Sequence, residues 1–69
     1  MTNERFLSYR KYELLLKRDG TNSYQVSKAT GIAEATLSQW KYGKYMPKID
    51  KMKLIADHFH VPVDYFYGD

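Results

Sequence analysis

The stretch between Glu34 and Lys44 carries two kinds of side chain at regular spacing. Leu37 and Trp40 are three residues apart, which is the spacing of one buried face of a helix. The positions between and before them hold small or hydrogen-bonding side chains: Glu34, Ala35, Ser38 and Gln39. Lysines follow at the end of the stretch. A helix with one apolar face, one hydrogen-bonding face and a basic exit is suited to directional contacts with an anionic partner.

The lysines are concentrated in one part of the chain. Residues 41–53 hold five lysines and one aspartate, a net charge of +4, whereas residues 54–69 hold three aspartates and no lysine or arginine. The whole chain has a formal net charge of +3 and a pI near 9.2. This distribution predicts a surface for a polyanion, and its alternative is an ordinary solvated charged surface.

Patterns that would indicate catalysis or metal binding are missing from the sequence. The chain has no cysteine, which excludes disulfides and thiolate metal sites. His58 and His60 are two residues apart, a poor spacing for two metal ligands on one helix. No nucleophile elbow, phosphate-binding loop or pair of catalytic carboxylates occurs. We therefore expect no enzyme activity, no metal and no cofactor.

The length of 69 residues predicts one domain, near the lower limit at which a hydrophobic core alone gives stability. The N-terminus has no apolar run of signal-peptide length. Nowhere does the chain hold the roughly 18 consecutive apolar residues that a membrane span requires. These features predict a soluble cytoplasmic protein.

Four to five short helices can be placed. The first is predicted from Asn3 or Glu4 to Arg18, with Gly20 as a left-handed C-cap. The second starts at the good N-caps Asn22 and Ser23 and runs to Thr30. A turn at Gly31 leads to the third, from near Glu34 to Tyr42, whose cap position holds Ala33, a poor N-cap.

The C-terminal third of the chain predicts two further helices. Five apolar residues recur at helical spacing in the fourth: Ile49, Met52, Ile55, Ala56 and Phe59. Pro47 is placed at the start of this helix. Pro62 suits the first turn of a short fifth helix with Val63 and Phe66 on one side. Together the elements predict an all-α, compact five-helix bundle.

The second helix, the turn and the third helix, about residues 22–42, form a helix–turn–helix pattern. In DNA-binding versions of this motif the second of its helices lies in the major groove. Leu37 and Trp40 would then hold that helix against the bundle. Gln39 could bond an adenine edge, Glu34 could accept from cytosine and Ala35 could meet a thymine methyl. The lysines that follow would contact phosphates.

Over about residues 8–67 the chain resembles the Cro/CI-type, or XRE-type, helix–turn–helix domain of phage repressors and bacterial regulators. The resemblance is carried by the order and spacing of many short pieces: Gly20, Asn22-Ser23, Val26-Ser27, Gly31-Ile32, Ala35 to Trp40, Tyr42-Gly43-Lys44, Pro47, Ile49, Met52, Ile55-Ala56, Phe59 and Val61 to Phe66. The resemblance implies a lambda-repressor-like five-helix fold.

The resemblance also implies roles for individual residues. It implies base contacts from Glu34, Ala35, Ser38 and Gln39, and DNA backbone contacts from Ser23, Tyr42, Lys44 and Lys48. It implies a two-fold contact near Val63, Tyr65 and Tyr67, and a homodimer that represses transcription from a pseudo-palindromic operator. Many relatives have Gln at the position of Ser23 and Ser or Thr at the position of Ala33.

Several alternatives stay open on the sequence. The chain could be the autoregulating antitoxin of a toxin–antitoxin pair, or an interaction module that has lost DNA binding. Glu34 could stabilise the helix N-terminus through the helix dipole instead of reading cytosine. Tyr65 and Tyr67 could pack within the bundle instead of forming an interface.

Overall fold

Four α-helices and one 3₁₀ turn follow one another along the chain. They are α1 (Glu4–Asp19), α2 (Ser23–Thr30), α3 (Glu34–Lys41), α4 (Ile49–Phe59) and the 3₁₀ turn (Val63–Phe66). The computed structural model describes residues 4–67, and within that range no residue lies in a strand. The all-α prediction is confirmed, with the correction that the predicted fifth helix is a single 3₁₀ turn preceded by Pro62. No helix in residues 4–67 is both long and apolar enough to cross a membrane.

Helix α1 ends as the sequence predicts. It begins at Glu4, and the other predicted start, Asn3, lies outside the described residues. Gly20 adopts the left-handed conformation, with φ of 64°, directly after the last helical residue. Tyr12 and Leu15 point into the core, whereas Leu14 is 57% exposed. One face of α1 therefore covers the core, and the opposite face meets solvent.

The two helices of the helix–turn–helix are joined by a tight, hydrogen-bonded turn. The side chain of Asn22 caps α2 by accepting from the backbone N–H of Gln25 at 3.0 Å. Gly31 ends α2 with φ of 80°, and its N–H donates to the carbonyl of Ser27 at 2.9 Å. Because L-residues are strained at this φ, glycine is required to turn the chain here. Both the predicted cap and the predicted turn are confirmed.

The start of α4 differs from the prediction. Pro47 is buried in the loop and does not begin the helix, because Lys48 follows it in an extended conformation and is itself the N-cap. Ile49 was expected on the apolar stripe but is 52% exposed. It is the first residue of α4, and burial of the stripe starts one turn later, at Met52. The remaining stripe residues are buried as predicted.

The C-terminus of α4 is held by α1. The guanidinium Nη2 of Arg18 donates to the carbonyl oxygen of Phe59 at 2.8 Å, and Nε of Arg18 lies 2.8 Å from a carboxylate oxygen of Asp19. The hydrogen bond from Arg18 to the carboxylate lowers the pKa of Asp19. His60 ends α4 in the left-handed conformation, with φ of 59°. Among the described residues it is the one non-glycine residue with positive φ.

We expect His60→Gly to stabilise the domain. An L-residue in the left-handed region costs about 1–2 kcal/mol, and the extra backbone entropy of glycine in the unfolded chain offsets about 0.5–1 kcal/mol of the gain. The net expectation is an increase of about 0.5–1 kcal/mol in the free energy of unfolding, measured by urea denaturation. His60→Ala is the matched control, because it removes the imidazole but keeps the Cβ, and it should give no increase. Equal increases in both variants would contradict the backbone explanation.

The core is built around aromatic rings from four elements. Trp40 is fully buried, as predicted, with its ring centroid 5.0 Å from that of Tyr12 and 6.1 Å from that of Phe66. The ring of Tyr12 also meets that of Phe59 at 6.1 Å in an edge-to-face arrangement. The indole N–H of Trp40 donates to the hydroxyl oxygen of the buried Ser8 at 3.0 Å. Trp40 thereby fixes α3 to α1 through both packing and a hydrogen bond.

Candidate nucleic-acid interface

One face of α3 is exposed and carries all four residues predicted to contact bases. Leu37 and Trp40 are 1% and 0% exposed and point into the bundle. The exposed positions are first, second, fifth and sixth in the helix: Glu34, Ala35, Ser38 and Gln39. At 3.6 residues per turn these positions share one side of the helix. The structure therefore gathers the four side chains on one outward surface, which is called here the α3 outer face.

The N-terminus of α3 begins without a side-chain cap. Ala33 occupies the cap position in an extended conformation and makes no capping bond, as the sequence predicts. Glu34 is the acidic residue of the first turn. Its exposed carboxylate can interact favourably with the positive end of the helix dipole. Glu34 also lies on the α3 outer face. The geometry fits both predicted roles of Glu34.

Basic and aromatic side chains surround the exit of α3. Tyr42 is 68% exposed and its ring lies 5.8 Å from Nζ of Lys41. The backbone N–H of Lys44 donates to the carbonyl of Gln39 at 2.9 Å, which holds the exit loop close to the end of α3. The side chains of Lys44 and Lys48 are exposed. Three of the four residues predicted to contact the DNA backbone therefore lie in or border the loop after α3, with their side chains exposed: Tyr42, Lys44 and Lys48.

The fourth predicted backbone contact, Ser23, has a partner that the sequence did not predict. Its Oγ lies 2.8 Å from the hydroxyl oxygen of Tyr12, and the hydroxyl group of Ser23 is only partly buried. Tyr12 is 11 positions away in another helix. No local pattern links the two residues, because the contact depends on how α1 and α2 pack.

The start of α2 carries a second feature that sequence reasoning passed over. Tyr24 is 50% exposed and its ring lies 5.2 Å from Nζ of Lys28, one turn further along α2. The i, i+4 spacing of these residues is the available sequence signal for such a pair. Lys28 therefore covers an aromatic ring on the outside of α2.

Burial raises the pKa of Tyr12 to about 12. Tyrosine in the unfolded chain titrates near pH 10. Between pH 10 and 12 the unfolded chain therefore loses the Tyr12 proton while the folded protein keeps it. We expect the free energy of unfolding to fall by about 2–3 kcal/mol across this range, because each unit of pKa difference contributes about 1.4 kcal/mol. Urea denaturation at several pH values measures the fall. Tyr12→Phe should show a smaller fall, and an equal fall would contradict the assignment to Tyr12.

The predicted dimer residues are divided between the core and the surface. Val63 and Tyr65 are partly buried and pack against the core cluster. The ring of Tyr65 meets that of Phe66 edge-to-face at 5.4 Å, with Nζ of Lys11 at 5.8 Å from its centroid. Tyr67 is 39% exposed. Packing within the bundle is thus observed for Val63 and Tyr65, and a two-fold contact at this surface stays a prediction.

Among the side chains that the structure describes, those of residues 8–67, no three from histidine, aspartate or glutamate are grouped so that they could hold a metal ion. The candidate site described above consists of the α3 outer face, the exit loop and the start of α2. The chemistry available there is hydrogen bonding from short polar side chains and charge attraction from lysines.

Comparison with known proteins adds one finding to this geometry. A family model described as helix-turn-helix matches residues 11–66, which is most of the chain. No curated protein and no solved structure matches. The matched range contains all of α2, α3 and α4 and every residue of the candidate interface. The chain belongs to the Cro/CI-type, or XRE, helix–turn–helix family, a family of DNA-binding transcription regulators.

Proposed function

We propose that this protein is a transcriptional repressor that binds duplex DNA sequence-specifically as a homodimer on a pseudo-palindromic operator. One observation carries the proposal. The α3 outer face presents Glu34, Ala35, Ser38 and Gln39 to solvent, while Leu37 and Trp40 fix the same helix to the core. A rigidly held helix with short hydrogen-bonding side chains outward is what reading of base edges in the major groove requires.

The charges beside α3 support binding to the DNA backbone. Lys41, Lys44 and Lys48 are exposed at the end of α3 and in the loop that follows. Lysines that neutralise phosphates supply much of the affinity and fix the register of the protein on the duplex. Gln39 and Lys44 are joined through the backbone bond of 2.9 Å, so a phosphate held by Lys44 would set the position of Gln39 over the bases.

The size of the domain supports action as a dimer. The part of the chain that the structure describes is 33 Å along its longest axis, and α3 is the one helix in it that we propose reads bases. Two half-sites on one face of the duplex are about 34–36 Å apart, centre to centre. A pseudo-palindromic operator therefore needs two copies, each covering one half-site.

Selection from a random duplex DNA library with the purified protein, followed by sequencing, tests the proposal. Enrichment of a two-fold-symmetric sequence is the expected result, and it also gives the half-site spacing. Enrichment of a single half-site would retain sequence-specific binding and overturn the dimer. A folded protein that enriches no sequence would overturn specific DNA binding and favour an interaction module that keeps only the bundle.

We expect Lys44→Ala to weaken binding to the selected operator and to random duplex DNA by similar factors. The reason is that a phosphate contact carries no sequence information. Loss of one such contact should also reduce the slope of log affinity against log salt concentration by about 0.9. Fluorescence anisotropy across a salt series measures both. Lys17→Ala removes the same charge from α1, outside the helix–turn–helix, and is the matched control. Equal slopes for Lys44→Ala and the wild type would remove Lys44 from the backbone contacts.

A further inference from the structure

The hydrogen bond between Tyr12 and Ser23 joins the core to the proposed DNA-binding surface. The hydroxyl oxygen of Tyr12 lies 2.8 Å from Oγ of Ser23. Tyr12 is fully buried, and its ring is held by three others, with centroids at 5.5 Å for Tyr9, 5.0 Å for Trp40 and 6.1 Å for Phe59. The phenol is therefore a rigid anchor, and the serine hydroxyl is the movable member of the pair.

Ser23 occupies the first position of α2, where the backbone N–H groups have no partner within the helix. The Asn22 side chain satisfies the N–H of Gln25, two residues further on. Ser23 itself is half-buried, so its hydroxyl group stands between Tyr12 and solvent. A short side chain at this place has several rotamers, and without a partner nothing would fix the direction of its O–H.

The distance fits either hydroxyl group as the donor, and the chemistry of the two groups favours one direction. A phenol is far more acidic than an alkanol, so Tyr12 is the better donor and the oxygen of Ser23 the better acceptor. Each hydroxyl has one proton to donate. When Ser23 accepts from Tyr12, its own proton stays available for an acceptor on the solvent side. An anionic acceptor such as a phosphate oxygen would make that second bond a strong one.

We propose that Tyr12 is a positioning residue for DNA binding, which holds the Ser23 hydroxyl so that it donates to a phosphate of the duplex. This inference rests on the proposed function and deepens it. It assigns a DNA-binding role to a residue of α1 that lies wholly inside the core. It also gives the short serine side chain a defined direction at this position.

Four proteins test the inference: wild type, Tyr12→Phe, Ser23→Ala and the double variant. Dissociation constants are measured on one short duplex at a temperature where circular dichroism shows each protein folded. Phosphate ethylation interference on the same duplex maps the contacted phosphates. Ser8→Ala is the matched control, because it removes a different hydrogen bond from α1 to the helix–turn–helix, that with Trp40. Ser23→Thr keeps the hydroxyl group and should therefore keep the phosphate contact that Ser23→Ala loses.

Both single variants are expected to weaken binding about 3- to 10-fold, with no further loss in the double variant, because both remove the same bond. Both should lose interference at one shared phosphate, whereas Ser8→Ala should keep it. If Tyr12→Phe bound DNA with wild-type affinity, or if the two losses multiplied in the double variant, the role of Tyr12 would be overturned. The proposed function would not be affected by either result. No binding of any duplex by the wild-type protein would overturn the proposed function and this inference together.

A measurement on the wild-type protein covers the case in which Tyr12→Phe does not fold. The buried Tyr12 hydroxyl proton can be followed by NMR while the duplex is added. If Ser23 donates to a phosphate, the bond it accepts from Tyr12 strengthens and the proton resonance moves. A resonance unchanged at saturation with duplex would overturn the role of Tyr12.

Discussion

Trp40→Ala is expected to leave the domain largely unfolded at 25 °C. Trp40 is 0% exposed and contacts three rings from two other elements: those of Tyr9 and Tyr12 in α1 and that of Phe66 in the 3₁₀ turn. Replacing a buried tryptophan by alanine costs about 3–5 kcal/mol. A domain of this size rarely has more than about 3–5 kcal/mol of stability in total. The loss is therefore as large as the whole stability of the fold.

Far-UV circular dichroism with a urea titration measures this effect. Trp40→Phe is the graded control, because it keeps an aromatic ring and removes the indole N–H that donates to Ser8. It should cost about 1–3 kcal/mol and leave a folded protein. If Trp40→Ala unfolded cooperatively at the same urea concentration as the wild type, the aromatic core would not control the stability of the domain.

The wild-type protein offers an independent check, since Trp40 is its one tryptophan. Its fluorescence should be blue-shifted in the folded state and move to longer wavelength on unfolding. The transition followed by fluorescence should coincide with that followed by circular dichroism. Separate transitions would mean that α3 leaves the core before the rest of the bundle unfolds.

Periodicity and capping residues predicted most of the fold, because both are local properties of the chain. The Asn22 cap, the glycine turn and the buried pair Leu37 and Trp40 all lie within one or two turns of the residues that indicate them. The errors are the type of the last element, which is a 3₁₀ turn, and the start of α4. Ile49 fits the apolar spacing, but a helix end extends past the core and periodicity does not show where burial starts.

Side-chain hydrogen bonds between helices could not be predicted in this way. Ser8 and Trp40 are 32 positions apart, and Tyr12 and Ser23 are 11 apart. Ser8 and Tyr12 lie one turn apart on α1, so one stripe of α1 holds both helices of the helix–turn–helix. That arrangement follows from packing of the whole bundle. The exposed residues of the α3 outer face, in contrast, follow from the spacing of apolar and polar residues along α3 alone.

The difference between local features and features that depend on packing also matters for the proposed sequence specificity. The hydrogen-bonding groups of the α3 outer face are local features, but in the proposed complex their position over the bases would depend on how α3 packs against the core. Trp40 packs its ring against that of Tyr12 with the centroids 5.0 Å apart, and it lies directly beside the exposed Gln39. If α3 reads bases as proposed, core packing and base reading would be coupled at adjacent residues of one helix.

Gln39→Ala is expected to lower affinity for the selected operator by about 1–3 kcal/mol and to change binding to random duplex DNA little. Gln39 is exposed at the sixth position of α3 and is next to the buried Trp40, so its side chain starts from a fixed point. An amide can bond both the N6 and N7 positions of adenine, and a wrong base leaves one of these bonds unmade.

Anisotropy titrations on the operator, on random DNA and on operators with each half-site position changed measure this effect. The wild type should lose affinity when the base pair read by Gln39 is changed, and Gln39→Ala should lose its preference at that position alone. Gln25→Ala removes the same side chain from the exposed surface of α2 and should leave every preference unchanged. An equal loss of affinity on operator and random DNA would instead assign Gln39 to a contact with the DNA backbone. Base contacts would then be left to Glu34, Ala35 and Ser38.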